Sequence, residues 1–242
     1  MKILVDTSVW SLALRKKNLT ENDISLVSVG WANNETGVIQ PMEEIIRISK
    51  NAGTFVHTDG VQVLGKVPVN LSEINVDFFT FSGHKVHSLQ GIGGIYARDK
   101  KLIRSLIWGG DQENDKRAGT ENLVGIASLG AALKLRRENL HESIQYMKKL
   151  RDTFEEEISS SIKDVTINGL PDNRLVNTSN LHFKGVDGRA LLAQLDINGI
   201  ICSQSSACTS QRPEPSYVLK AMGLTEDEAF SSIRFSFSVE NT

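Results

Sequence analysis

Phe81-Ser82-Gly83-His84-Lys85 follows the apolar stretch Val76-Asp77-Phe78-Phe79-Thr80 and precedes the glycine-rich turn Gln90-Gly91-Ile92-Gly93-Gly94. Aromatic and β-branched residues bounded by glycine read as a buried strand, so the lysine just past its end is delivered to the rim of a sheet. In open α/β sheets that rim is where ligands bind. A lysine there with a hydroxyl and an imidazole beside it can hold an aldehyde cofactor as a Schiff base, with Ser82 and His84 reaching its phosphate. The alternative is a solvated lysine that merely closes a strand.

Towards the N-terminus, Ser25-Leu26-Val27-Ser28-Val29 alternates as a strand that ends at Asn33-Asn34-Glu35-Thr36-Gly37. Adjacent amides at a strand end form turns, and an amide there can also hydrogen-bond a cofactor hydroxyl or a substrate carboxylate. Pro41 opens a helix with Glu43 and Glu44 in its first turn, Ile45, Ile46 and Ile48 as the expected buried stripe, and Gly53 as its stop. The strand Thr54-Phe55-Val56-His57 then delivers Asp59 and Gln62 to the same rim as Lys85, because successive parallel strands of a βαβ unit end on one edge. A carboxylate against the pyridine nitrogen of pyridoxal phosphate keeps that nitrogen protonated, which gives Asp59 a chemical role, and Gln62 can hydrogen-bond the ring hydroxyl. A helix cap for Asp59 and a surface position for Gln62 are the structural alternatives. His57 is read as structural.

Towards the C-terminus, the glycines of 91–94 are expected to serve close backbone packing. The polar, aperiodic segment from Gly109 to Asn122 reads as a long loop, and loops of that length inside a compact domain are usually functional. A helix is expected from about Leu123, with Ala127, Ala131 and Leu135 at four-residue spacing. Another is expected over His141 to Ser159, with Ile144, Met147, Leu150, Phe154 and Ile158 on one face. The charged stretch Arg151 to Lys163 marks a change of unit, giving boundaries of 1–17, 18–150 and 151–242. Strands are expected at Val165-Ile167 and Asn177-Phe183, a helix from Asp187, and a short strand at Ile200-Ile201. Cys202, placed in that strand, reads as a small buried hydrophobe. Cys208 lies in the following run of small residues, where a thiolate nucleophile is plausible. Ser231 to Phe237 alternates as a strand that sets Arg234 among apolar neighbours, where it either pairs with an acid or clamps a substrate carboxylate.

The chain has 242 residues, 40% of them hydrophobic, and a net charge of −2, which implies neither a nucleic-acid nor a membrane partner. No apolar run approaches the ~20 residues of a membrane span, Asp6 interrupts the first apolar residues, and a cytoplasmic location is expected. Two cysteines make a disulfide framework unexpected. No metal site is foreseen. Met1 to Lys17 resembles the opening of a PIN-domain ribonuclease, in which the aspartate at the place of Asp6 helps bind a metal. A whole such domain does not fit before residue 18, so this stretch reads as a remnant or fusion scar, with Asp6 a turn or capping residue.

From about residue 18 onward the chain resembles the cysteine desulfurases of the nitrogenase and iron-sulfur assembly type, within the class-V aminotransferases. The matching segments, in the family's order, are Ala32 to Gly37 (ANNETG), His57 to Gln62 (HTDGVQ), Ser82 to Lys85 (SGHK), Arg117 to Asn122 (RAGTEN), Val186 to Gly188 (VDG), Ser206 to Ser210 (SACTS), Glu214 to Ser216 (EPS) and Ser232 to Ser236 (SIRFS). The resemblance implies an α/β fold: an incomplete fold type I of the pyridoxal phosphate-dependent transferases, with a mixed, mostly parallel sheet, helices on both faces and a smaller α+β C-terminal domain. It implies a homodimer that converts L-cysteine to L-alanine and passes sulfur, held as a persulfide, to an acceptor or iron-sulfur scaffold protein. Carried over by position, Lys85 resembles the Schiff-base lysine, Asp59 the pyridinium partner, and Gln62 and Asn34 the contacts to ring hydroxyl and substrate. Ser82 and His84 resemble the phosphate ligands, and Thr120 the residue reaching the neighbouring subunit's phosphate. Arg234 resembles the carboxylate clamp and Cys208 the persulfide-forming nucleophile.

Departures from the family pattern are expected to matter as well. A long portion that the family carries before the equivalent of Leu19, with further phosphate contacts and a ring-stacking histidine, and the family's final helix have no counterpart here. Gly60 stands where alanine is usual, and Gln204 and Ser205 stand where the cysteine loop has serine and glycine. These differences set a second reading beside the enzyme, a catalytically silent desulfurase fragment or interaction module. A PIN-type nuclease, the third reading, needs further carboxylates that the sequence does not supply.

Overall fold

The computed structural model describes residues 3–6, 24–204 and 214–242, and their strands fall into two sheets. In the first, β1 (Ile3–Asp6), β2 (Leu26–Gly30), β3 (Phe55–Asp59) and β4 (Phe78–Ser82) lie in parallel in that order, and β5 (Gly93–Ala97) runs antiparallel to β4. This is the mixed, mostly parallel sheet expected from the sequence. Ile3–Asp6, from the stretch read as a remnant, is in register with β2 from Ile3 beside Leu26 to Asp6 beside Val29 and so extends the sheet.

α1 (Met42–Asn51) starts after Pro41 and buries Met42, Ile45, Ile46 and Ser49, a row at helical spacing. Ile48, expected on that row, is 48% exposed. Ser49 takes the inward position because it lies three and four residues after Ile46 and Ile45, whereas Ile48 is turned aside. The β4–β5 pair explains the glycines. A methyl group at Gly94 would lie 2.5 Å from the Phe81 ring and one at Gly93 would lie 2.6 Å from the Phe81 carbonyl oxygen.

Gly60 has a similar cause. A methyl group there would lie 2.0 Å from Cζ of the buried Phe79, whose ring also meets Trp31 edge-on at 6.2 Å. Phe79 thus fills the volume a Cβ at residue 60 would need. Gly60→Ala is therefore expected to destabilise the fold by about 1–3 kcal/mol, the usual cost of overpacking. The double variant Gly60→Ala/Phe79→Leu should recover most of that loss in urea melts, and equal melts for Gly60→Ala and wild type would refute the packing account.

The described residues gather into two units, divided otherwise than at residue 150. One holds 3–6, 24–31 and Pro41–Leu140, and the other holds Ala32–Gln40, 141–204 and 214–242. α2 (Leu123–Glu138) belongs to the first, capped by Asn122, which accepts from the Gly125 N–H at 3.0 Å. Its Leu123, Ala127, Ala131 and Leu135 are exposed rather than buried, because Gly125 and Ala132 are the residues it turns inward. α3 (Leu140–Ser161) runs unbroken through residue 150. Of the charged stretch that suggested a junction, Arg151 and Glu155 turn inward, while Glu156, Glu157 and Lys163 are exposed. Arg151 and Glu155 are buried, the first donating to the Leu175 carbonyl at 3.0 Å and the second paired with Arg174.

The second sheet, in the second unit, is antiparallel: β6 (Val165–Ile167), β7 (Thr178–Phe183) and β8 (Ser232–Ser236). Its core is Leu181, Phe183 and Ile233, against which Phe154 and Ile158 of α3 and Leu191 and Leu192 of α4 (Gly188–Ile197) pack. α5 (Tyr217–Ala221) and α6 (Glu226–Phe230) follow, the latter opened by a reciprocal Thr225–Glu228 capping box. No strand forms at Ile200-Ile201. Ile201 is 90% exposed, and only Ser203 bridges to Arg234 of β8. Two apolar residues with no alternating partner lack a face to bury, so they remain a connection.

Candidate active site

The parallel register sets the first group of residues. Asp59 ends β3 beside Thr80, and β4 ends two residues later at Ser82, where a single turn of 3-10 helix, Gly83–Val86, carries His84 and Lys85. Asp59, Ser82, His84 and Lys85 therefore share the C-terminal edge of the first unit's sheet. The turn is held by Gly83, whose N–H donates to the Ile92 carbonyl at 2.8 Å, and is ended by His87 at φ 68°. A methyl at Gly83 would come within 2.8 Å of Ile92 Cγ2, so the residue between Ser82 and His84 has to be small.

Lys85 is exposed. The Ser82 hydroxyl and His84 Nδ1 are 2.7 Å apart. Asp59 Oδ1 accepts the Val61 N–H at 2.8 Å, which closes a turn rather than capping a helix and engages one carboxylate oxygen. His57 is structural: Nδ1 meets Ser28 Oγ at 2.7 Å and Nε2 meets Thr80 Oγ1 at 3.0 Å, tying β2, β3 and β4 together. Burial lowers its pKa against the opposing pull of Asp59. Gln62 sits in the turn after β3, where its Oε1 and its main-chain carbonyl each accept from Lys66 Nζ at 3.3 Å. Thr120 is exposed in the loop ahead of α2, a loop whose Glu113, Asn114 and Asp115 all have positive φ.

Asn34 and Arg234 belong to the second unit and meet there, Arg234 Nη1 donating to the Asn34 carbonyl at 3.2 Å. Asn33 builds the turn that presents Asn34. Its Oδ1 accepts from the N–H groups of Glu35 and Thr36, each at 2.9 Å, and Gly37 completes the turn at φ 77°. Arg234 is half-buried. Burial draws its pKa down while the charges of Glu35 and Cys202 oppose that. Its Nε is buried with no hydrogen-bond partner among the described residues, an unspent donor suited to a carboxylate. Cys202 packs at the edge of the second core, and burial raises its thiol pKa, with Asp196 adding to the rise and Arg234 opposing it. That is the environment of an inert cysteine. Cys208, the proposed nucleophile, lies outside the described residues.

The donor set at the first unit's edge is cationic. Lys66, Lys85 and Arg136 have no ion-pair partner among the described residues, and a hydroxyl and an imidazole stand beside Lys85. An anionic ligand with an aldehyde, such as the phosphorylated cofactor expected from the sequence, fits those groups. A family model, aminotransferase class-V, matches residues 5–242.

The chain belongs to the class-V aminotransferase family. Among class-V members it is homologous to proteins named cysteine desulfurase. It is 44% identical over 218 residues to one from Gluconacetobacter diazotrophicus, a match covering 90% of this chain and 54% of that protein. It is 41% identical over 221 residues to the cysteine desulfurase NifS of Azotobacter vinelandii, covering 91% of this chain and 55% of that one. The X-ray structure of a NifS-like protein from Rickettsia africae superposes with a TM-score of 0.83 at 36% identity, over 93% of this chain and 59% of that chain. The chain thus spans about half the length of the curated relatives it matches.

Two residues of this class-V chain escaped the sequence reading. Glu35 is buried, accepts from the Ser216 hydroxyl at 2.5 Å and acts electrostatically on Arg234. It stands inside the ANNETG segment, and Ser216 inside EPS, so the signal was there but no spacing linked them. Lys66 could have been found from its four-residue spacing to Gln62.

Proposed function

We propose that the protein acts in pyridoxal phosphate-dependent cysteine desulfuration, taking L-cysteine to L-alanine and leaving the sulfur on Cys208. The observation that carries this reading is the common edge of β3 and β4, which bears Asp59, Ser82, His84 and Lys85 in the order of the desulfurase segments. Pyridoxal phosphate, when bound, supplies an electron sink conjugated to the substrate's α-carbon. Lys85 would hold the group by its aldehyde, and its amine is the base placed to take the α-proton. Asp59 would keep the ring nitrogen protonated, and Gln62 would contact the ring hydroxyl. Ser82 and His84 would hold the phosphate, with Thr120 reaching that of a second subunit. Asn34 and Arg234 receive the substrate carboxylate. The Cys208 thiolate attacks the substrate sulfur, the carbon–sulfur bond breaks, the β-carbon gains a proton and the α-carbon regains the one it lost to give alanine, and Cys208 keeps the sulfur as a persulfide.

A homodimer, a sulfur-accepting or iron-sulfur scaffold partner and a cytoplasmic location complete the proposal. The exposed row Leu123, Ala127, Ala131 and Leu135 on α2 supports association, since soluble monomers seldom leave such rows uncovered. Among the described residues no helix is long and apolar enough to cross a membrane.

The test is to add pyridoxal phosphate and L-cysteine to the purified chain. After borohydride reduction, one pyridoxyl group is expected on Lys85 by mass spectrometry, and alanine is expected to form. A protein that takes up no pyridoxyl group at Lys85 would overturn the reading. A labelled Lys85 without alanine would favour the silent-fragment reading.

A further inference from the structure

The turn after β3 places a second amine next to Lys85. Val63, fully buried, anchors the turn, whose N–H groups at 63, 64, 66 and 67 are bonded back to Gly60 and Val63. Gly65, at φ 75°, lets the turn lie against its neighbours. A methyl there would be 3.2 Å from Val86 on the Lys85 turn and 3.4 Å from Cγ of Arg136 on α2. Lys66, half-buried, lies within electrostatic reach of two cations, Lys85 from the 3-10 turn and Arg136 from α2. Burial first, then Lys85, then Arg136 push its pKa down to about 8.

Like charges gathered in a partly buried place repel one another, and an anion bound beside them would relieve that repulsion. The hydrogen bonds say where. A lysine ammonium only donates, whereas a primary amide has one donating and one accepting end. Because Lys66 donates to Gln62 Oε1, the amide cannot turn over without setting N–H against N–H. What Gln62 can still offer a ligand is its two amide hydrogens.

We propose that Lys66 is a positioning residue: by fixing the amide of Gln62 it makes this point of the site select an oxygen that accepts, namely the ring oxygen of pyridoxal phosphate in its anionic form. The inference rests on the proposed reading of the Lys85 site. Lys85 and Arg136 are the charged groups facing Lys66 from the elements packed on its turn, and both favour the anion in the same sense.

Two probes separate this role from a merely structural one: pyridoxal phosphate, and its 3-O-methyl analogue, whose ring oxygen carries no charge. The purified full chain is titrated with each, and binding is followed by absorbance. Lys66→Met is expected to weaken pyridoxal phosphate binding by about 10-fold or more, the worth of a charge-assisted hydrogen bond, and to leave binding of the analogue within about twofold. Lys66→Arg, also donor-only, should retain the wild-type preference. In the ligand-free protein, the Gln62 side-chain amide signals should shift with a midpoint near pH 8, as the Lys66 proton is lost, and should not shift in Lys66→Met.

Equal weakening for both probes would assign Lys66 to the fold alone, and no weakening for either would leave it without a role; each overturns the proposal while the Lys85 reading stands. A wild-type protein that forms no adduct at Lys85 overturns that reading, and this proposal with it.

Discussion

On the proposed function, Lys85→Ala is expected to fold like wild type and to lose alanine formation by about 10³-fold or more, the scale on which a combined covalent anchor and proton acceptor contributes. The side chain is exposed on a one-turn helix held by backbone bonds of Gly83 and by the buried Val86, so removing it takes away no packing. Surface changes of that kind stay within about 0.5 kcal/mol. Lys85→Arg should fail equally. A guanidinium keeps its charge at any working pH, forms no Schiff base under these conditions and cannot receive a proton. The measurement is alanine release from L-cysteine, with thermal melts alongside to show that the fold is intact. Activity of Lys85→Ala within tenfold of wild type would remove Lys85 from the chemistry.

The site's first half was legible because it is written in contiguous elements. A strand of Phe and Thr ending in Ser-Gly-His-Lys leaves its last side chains no choice but the sheet edge, and a parallel neighbour with the same register brings Asp59 to the same edge. Burial was less legible wherever charge or small residues take the inward place. Ile48 and Ser49 differ by one residue and exchange the roles hydrophobicity assigns them, since helix phase is set by Met42, Ile45 and Ile46 together. The row Ala127, Ala131, Leu135 has helical spacing yet lies outside, because spacing shows that residues share a face without showing whether that face is covered. Glu35 and Ser216, 181 residues apart, are joined only by the tertiary fold, and no local pattern announces such a pair.

The hardest feature to read was the buried ion pair on α3, and it carries the largest expected effect on stability. Glu155 and Arg174 are 6% and 8% exposed, and they meet in a fork, Nη1 to Oε1 at 2.6 Å and Nη2 to Oε2 at 2.5 Å. Arg174 also bridges to Val38, and its neighbours continue the contact: Ile39 N–H donates to the Asn173 carbonyl and Leu175 N–H to the Gly37 carbonyl. The pair therefore fastens α3 to the segment that presents Asn34 and Glu35. Arg174→Met leaves the Glu155 carboxylate buried without its partner and should cost about 3–5 kcal/mol, as should Glu155→Leu, which strands the guanidinium. The double variant should be far milder than the sum. Desolvating two charges offsets most of their attraction, so an apolar pair of similar volume can stand in for them. Urea melts of the four proteins form the cycle. Exposed pairs such as Arg47 and Glu44, by contrast, lie in solvent and should change stability by less than about 1 kcal/mol when broken. If the two single variants at 155 and 174 melt with wild type, the charges are solvated in solution and the packing of α3 against residues 173–175 rests on Leu175 and Arg151 instead.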